Sequence, residues 1–208
     1  MRVVVGSESS RDQRPSEIDR HLLMLSRFVE RAKAEGSFSL TMILRSASSG
    51  PAKALVGLKD ELKHAGVSAK VILAKLEPED ELRQFFASLS RLAPREPAPL
   101  LIRWARNPRL LDAHEQVTYG ETMCWSGDAM RRDADKRNAL TLFDEEAPDT
   151  VRLGRLAFEA LWAASALVPE RRLTGPATAR PSGAYQLSQD TPVAALRPSL
   201  QGWPLVRH

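Results

Sequence analysis

The sequence contains one cysteine, Cys124, among 208 residues. An intramolecular disulfide is therefore excluded, and so is a cysteine-rich zinc site. Flanked by Met123 and Trp125, that thiol is expected in a buried strand. The four histidines, His21, His64, His114 and His208, fall at no metal-ligand spacing, so neither metal nor other cofactor is expected. No apolar run approaches the ~18–20 residues needed to cross a bilayer. The opening MRVVVGSESSRDQRP turns polar too early for a secretory core, which points to a cytoplasmic protein. GSESS lacks the later glycines and the lysine of a phosphate loop. Around Ser126 the chain reads C-W-S-G-D, not the G-x-S-x-G of a nucleophile elbow.

What is present is an ordinary globular composition, 43% hydrophobic and 27% charged, with enough chain for a real core. The net charge of +4 suggests an anionic partner, but its location matters. From Glu170 onward there are five arginines against two acids, leaving residues 1–169 with only +1. A folded part so near neutrality is no electrostatic nucleic-acid binder on composition alone. A nucleic-acid partner stays open.

Val3–Val5 reads as a short strand and loop. Ser16 then suits a helix N-cap with Asp19 at the capping-box position. Ile18, Leu22, Leu25, Val29 and Ala32 fall on one helical face, and Gly36 ends the helix. SFSLTMIL, within Ser37–Arg45, reads as a strand, and Ser46–Gly50 as a small polar loop. A helix over Pro51–Ala65, closed by Gly66, leads to a strand at Val67–Leu73. Such a strand–helix–strand unit makes a parallel pair. Glu79–Leu92 is amphipathic, with Leu82, Phe85, Phe86 and Leu89 inward. Leu100–Trp104, Gln116–Trp125 and Asn138–Phe143 read as further strands. Thr150–Leu167 reads as a closing helix that buries Val151, Leu156, Leu161 and Trp162. The expected architecture is one α/β domain over residues 1–168, a mixed β-sheet flanked by helices on both faces. Residues 169–208 form a Pro/Arg-rich tail, disordered or surface-draped, with Trp203 either a docking anchor or exposed.

The stretch DAHEQVTYGETMCWSGDAMRRDADKRN, from Asp112 to Asn138, holds the chemistry worth weighing. In order, it resembles the motif of the phospholipase D-like (HKD) superfamily, a histidine, lysine and aspartate followed by Gly-Ser and an asparagine. Aligned on His114, the lysine position falls on Gln116 and the acid on Glu121. Gly127 meets the glycine across a gap one residue short, and Asp128 and Met130 replace the serine and asparagine. The element order over residues 16–168 is similar to that family's half-domain. AGVSAKVIL resembles its strand after the second helix, and FEALWAAS its closing helix.

The resemblance implies a phospholipase D-like half-domain. In that family, histidines from two half-sites share one cleft. One attacks phosphorus, the other protonates the leaving oxygen, the acid orients histidine, and lysine and asparagine hold phosphoryl oxygens. A chain with one half-site must form a homodimer. Here Gln116 can donate a hydrogen bond but brings no charge, Asp128 places a negative charge at the anion, and Met130 removes a donor. Arg131 and Arg132 stand near enough in sequence to compensate. The expectation is a catalytically degenerate domain that binds a phosphate-containing anion through Gln116, Asp128, Arg131 and Arg132, or a protein partner. The alternatives are an active phosphodiesterase or nuclease, working as a homodimer through His114 with Glu121, and a non-enzymatic adaptor using the tail. A plainer reading also stands: EQVTYGETMCW as a hairpin with Gly120 in its turn, followed by a solvated loop.

Overall fold

In a computed structural model, residues 16–35, 38–106, 114–128, 130 and 141–174 are described; the proposed strand at Val3–Val5, Arg131, Arg132 and Trp203 lie outside them. The chain opens with α1 (Glu17–Glu35). The Ser16 backbone N–H donates to Asp19 Oδ2 at 3.0 Å, and the Asp19 N–H donates to Ser16 Oγ at 3.2 Å. This is the reciprocal capping box expected from the sequence.

β1 (Ser39–Leu44) follows, then α2 (Gly50–Gly57), α3 (Lys59–His64) and β2 (Ser68–Leu73). The single helix expected over Pro51–Ala65 is two helices. They meet at Leu58, whose φ of −108° and ψ of 21° leave the helical region just after Gly57, a poor helix former. Gly66, with φ of +68°, closes α3. α4 (Glu79–Leu92) is as expected. A helical turn, α5 (Ala98–Leu101), then takes the first part of the expected Leu100–Trp104 strand and leaves β3 (Ile102–Trp104).

The expected strand Gln116–Trp125 is a hairpin, β4 (Glu115–Tyr119) and β5 (Met123–Gly127), as in the plainer reading. Gly120 has φ of +61° in its turn, and a Cβ there would lie 2.9 Å from Phe38. Both conditions demand glycine. β6 (Thr141–Asp144), α6 (Pro148–Ala164), β7 (Ala166–Leu167) and α7 (Glu170–Thr174) complete the described chain.

The strands form one sheet in the order β6-β5-β4-β1-β2-β3-β7. β1, β2 and β3 are parallel, while β4, β5, β6 and β7 each join a neighbour antiparallel. Alternation along the strands sends side chains to two separate layers. Leu40, Met42, Leu44, Val71, Leu73, Val117 and Trp125 pack with Leu25, Phe28, Leu55, Leu62 and Phe85 of α1 to α4. Ile43 and Ile72 pack on the other face with Phe158 and Trp162 of α6. Cys124 is buried there against Ala147 and Val151. The fold is thus mixed α/β with helices on both faces.

Two further details differ from expectation. Leu156 is 63% exposed, because Val151, Gly154, Phe158 and Trp162 set the inward phase of α6. Two residues beyond Gly154 is about 200° of helical rotation, which turns Leu156 outward. The ordered fold also runs past residue 168: α7 packs on α4, Leu173 is buried, and Arg172 Nη1 donates to Glu77 Oε1 at 2.7 Å. The beginning of the supposed tail belongs to the domain.

Candidate ligand-binding cleft

The C-terminal ends of β1 and β2 stop at one edge of the sheet. There β4, antiparallel to β1, begins. At such a reversal of strand direction the loops diverge and leave a crevice, the usual ligand position in open α/β sheets. β1 runs into Arg45 and a serine-rich loop, Ser46–Ser49, before α2; β2 runs into Lys75. Backbone bonds from Ala74 N to Leu44 O, 2.9 Å, and Lys75 N to Arg45 O, 2.8 Å, hold the two loops together.

Glu115, the first residue of β4, anchors this edge. Its Oε1 accepts from the Arg45 backbone N–H at 2.7 Å and from the Ser49 hydroxyl at 2.6 Å. Glu115 is only 3% exposed, and burial raises its pKa against the opposing pull of these hydrogen bonds. Ser49 sits at the N-cap of α2 with extended φ and ψ, yet its side chain is committed to Glu115 and does not cap the helix. The Ser46 and Ser48 hydroxyls share a hydrogen bond of 2.7 Å.

Above this floor lies a cleft of about 690 Å³, walled by Ser16, Glu17 and Ile18 of the α1 end, by Arg45, Ser46, Ser48, Gly50 and Lys53, and by Lys75 and Glu77. A volume of this order suits a nucleotide-sized molecule. Glu77 is held by Arg172, whose hydrogen bond lowers its pKa. Lys53 and Lys75 are exposed and form no ion pair among the described residues.

His21 lies beneath the cleft wall, wholly buried, its ring 4.6 Å from that of Trp125 and 5.1 Å from that of Phe143. A Cβ on Gly50 would come within 2.9 Å of it, so only glycine lets the start of α2 approach. Burial, with Arg20 adding to it, pushes the imidazole down to about 4. His21 is thus a packing residue on the inner side of α1. His64 is likewise structural, with Nδ1 2.6 Å from the Asp60 carbonyl oxygen.

The residues of the motif-like stretch are only partly brought together. His114 is exposed immediately before β4. Asp128 is buried just after β5, and extending the Glu115–Gly127 register by one residue places it opposite His114. Gln116 is half-buried on the α6 face, so close to Gly154 that a Cβ there would lie 2.7 Å from its Nε2. Met130 packs against the Phe158 and Trp162 cluster. Glu121 is exposed in the hairpin turn at the opposite end of β4. At ~3.4 Å per residue the strand holds it roughly 20 Å from His114, so Glu121 does not orient His114 of the same chain.

Arg45, Ser46, Ser48, Lys53, Lys75 and Glu115 are not among the site residues expected from the sequence. The signal was there in SASSGP, a serine-rich join between a strand and a proline-started helix. Among the described residues no three His, Cys, Asp or Glu side chains group as a metal site, and no helix is long and apolar enough to cross a membrane.

The arrangement defines a mixed α/β domain with a polar cleft at the C-terminal edge of its parallel strands. No protein-family model and no curated protein matches the chain. A solved structure similar to it is that of TrmBL2, an archaeal chromatin protein described as showing a novel mode of DNA binding, at 18% identity and a TM-score of 0.46. The match covers 73% of this chain and 52% of that one, so this chain spans about half of that protein's length.

Proposed function

We propose that the chain is a cytoplasmic, non-hydrolytic domain of phospholipase D-like type that binds a phosphate-containing small molecule in the cleft at the ends of β1 and β2. The observation that carries the reading is the pair Lys53 and Lys75, unpaired among the described residues beside the hydroxyls of Ser46 and Ser48. Ammonium groups and hydroxyls suit phosphoryl oxygens. Of the acids that line the cleft, Glu77 is engaged by Arg172 and Glu115 by the Arg45 N–H and the Ser49 hydroxyl, which leaves Glu17 as the carboxylate that opposes an anion. The position of Glu121, far from His114, and the replacement of the motif lysine by Gln116 support binding without turnover.

Calorimetric titration with pyrophosphate and with a nucleoside monophosphate tests the reading. Saturable binding is expected, weakened at least about tenfold in Lys53→Glu/Lys75→Glu. Absence of saturable binding would sink it. In parallel, hydrolysis of a generic phosphodiester should not exceed that of His114→Ala purified identically. Activity lost in that variant would replace this reading with a dimeric phosphodiesterase.

A further inference from the structure

Among the described residues, the sheet face bearing Ile43 and Ile72 is covered by one helix, α6, whereas α1 to α4 layer the other. Beyond exposed Asp149 in its first turn, the outer side of α6 carries an apolar stripe where solvent-facing polar residues are the rule. Leu153 and Leu156 are 61% and 63% exposed, and Ala157, Ala160, Ala163 and Ala164 are exposed with them. At about 100° per residue, Leu153, Leu156 and Ala160 share roughly 60° of arc opposite buried Phe158. Contiguous exposed apolar surface of this kind marks contact surfaces. Beside it runs a groove of about 430 Å³ lined by Pro148, Val151, Arg155, Leu156 and others.

The charges beside the stripe indicate what covers it. Arg152 and Glu159 stand seven residues apart, so about 20° apart on one flank. Glu159 has no ion-pair partner among the described residues, and Arg152 reaches only exposed Asp149, at 3.5 Å. Such an exposed pair is easily exchanged. A two-fold axis across an antiparallel helix pair reverses chain direction but keeps each flank on the same side. With the axis near residues 155 and 156, Arg152 meets Glu159 of the partner subunit, and the reverse. Leu156 then lies close to its own copy, and the alanines permit close approach.

We infer that the outer face of α6 is a self-association surface. Two copies of the chain pair their α6 helices antiparallel about a two-fold axis, with Arg152 of each against Glu159 of the other. The occupant is a second copy because one flank supplies both charges at a spacing complementary to itself. This surface is independent of any pairing through His114.

Sedimentation equilibrium of the full chain, with charge reversals, tests it. The wild-type chain is expected to be dimeric at micromolar concentration, and Leu156→Glu monomeric. Arg152→Glu should raise the dimer dissociation constant at least about tenfold, and Arg152→Glu/Glu159→Arg should restore it. Thermal unfolding verifies that these exposed substitutions leave the fold intact, with Leu153→Lys as a second stripe variant. A monomeric wild-type chain, a dimer that survives Leu156→Glu, or a double reversal no better than the single one would each overturn the inference.

Discussion

The Ser49 hydroxyl donates to Glu115 Oε1 at 2.6 Å across 66 residues of chain, tying the start of β4 to the entry of α2. Because the Arg45 backbone N–H shares that acceptor, one carboxyl group organises the floor of the cleft.

Glu115 therefore couples the cleft to pH. Burial raises its folded pKa above the ordinary 4.5, so the folded chain keeps the proton longer than the unfolded one. Its contribution to stability is full below pH 4.5 and is lost as pH rises through the folded value. Urea denaturation at stepped pH should show Glu115→Gln lacking this decline. Parallel profiles for the two proteins would refute it. Glu115→Ala orphans the Ser49 hydroxyl and the Arg45 N–H and should cost about 2 kcal/mol.

His21 acts with the opposite sign. Its folded pKa of about 4 lies below the unfolded 6.5, so its full contribution is present above pH 6.5 and drains as pH falls toward 4. The loss approaches ~3 kcal/mol. His21→Leu, of similar volume, should be stable at neutral pH and should lack this acid limb in the same titration. An unchanged acid limb would mean that another group carries it.

α7 is a working part of the domain. Leu173 is 4% exposed, and α7 is further tied by Arg172 to Glu77. Leu173→Ala should cost about 2–3 kcal/mol, read from the urea midpoint, and ending the chain after Val168 should cost more. Wild-type stability in Leu173→Ala would detach α7 from the core.

Local signals were legible where the information is local. The Ser16–Asp19 capping box, the inward face of α4 and the apolar run of β1 follow from cap chemistry and periodicity within a few residues. The misreadings came from neighbours. Leu156 looked inward on α6 until the contact of Gly154 with Gln116 set the helix phase. Gln116–Trp125 read equally well as one strand or two until Gly120 took its positive φ against Phe38.

The sequence by itself determined an α/β chain with a real core, the positions of most helices and strands, and a set of candidate polar residues. Only the tertiary structure decided which of those residues meet. Strand order brings Glu115 to Ser49, carries His21 beneath Gly50 against Trp125, and leaves Glu121 a strand's length from His114. Periodicity reports which side of an element is apolar, but pairings across 66 residues arise from packing those sides together, and no local pattern contains them.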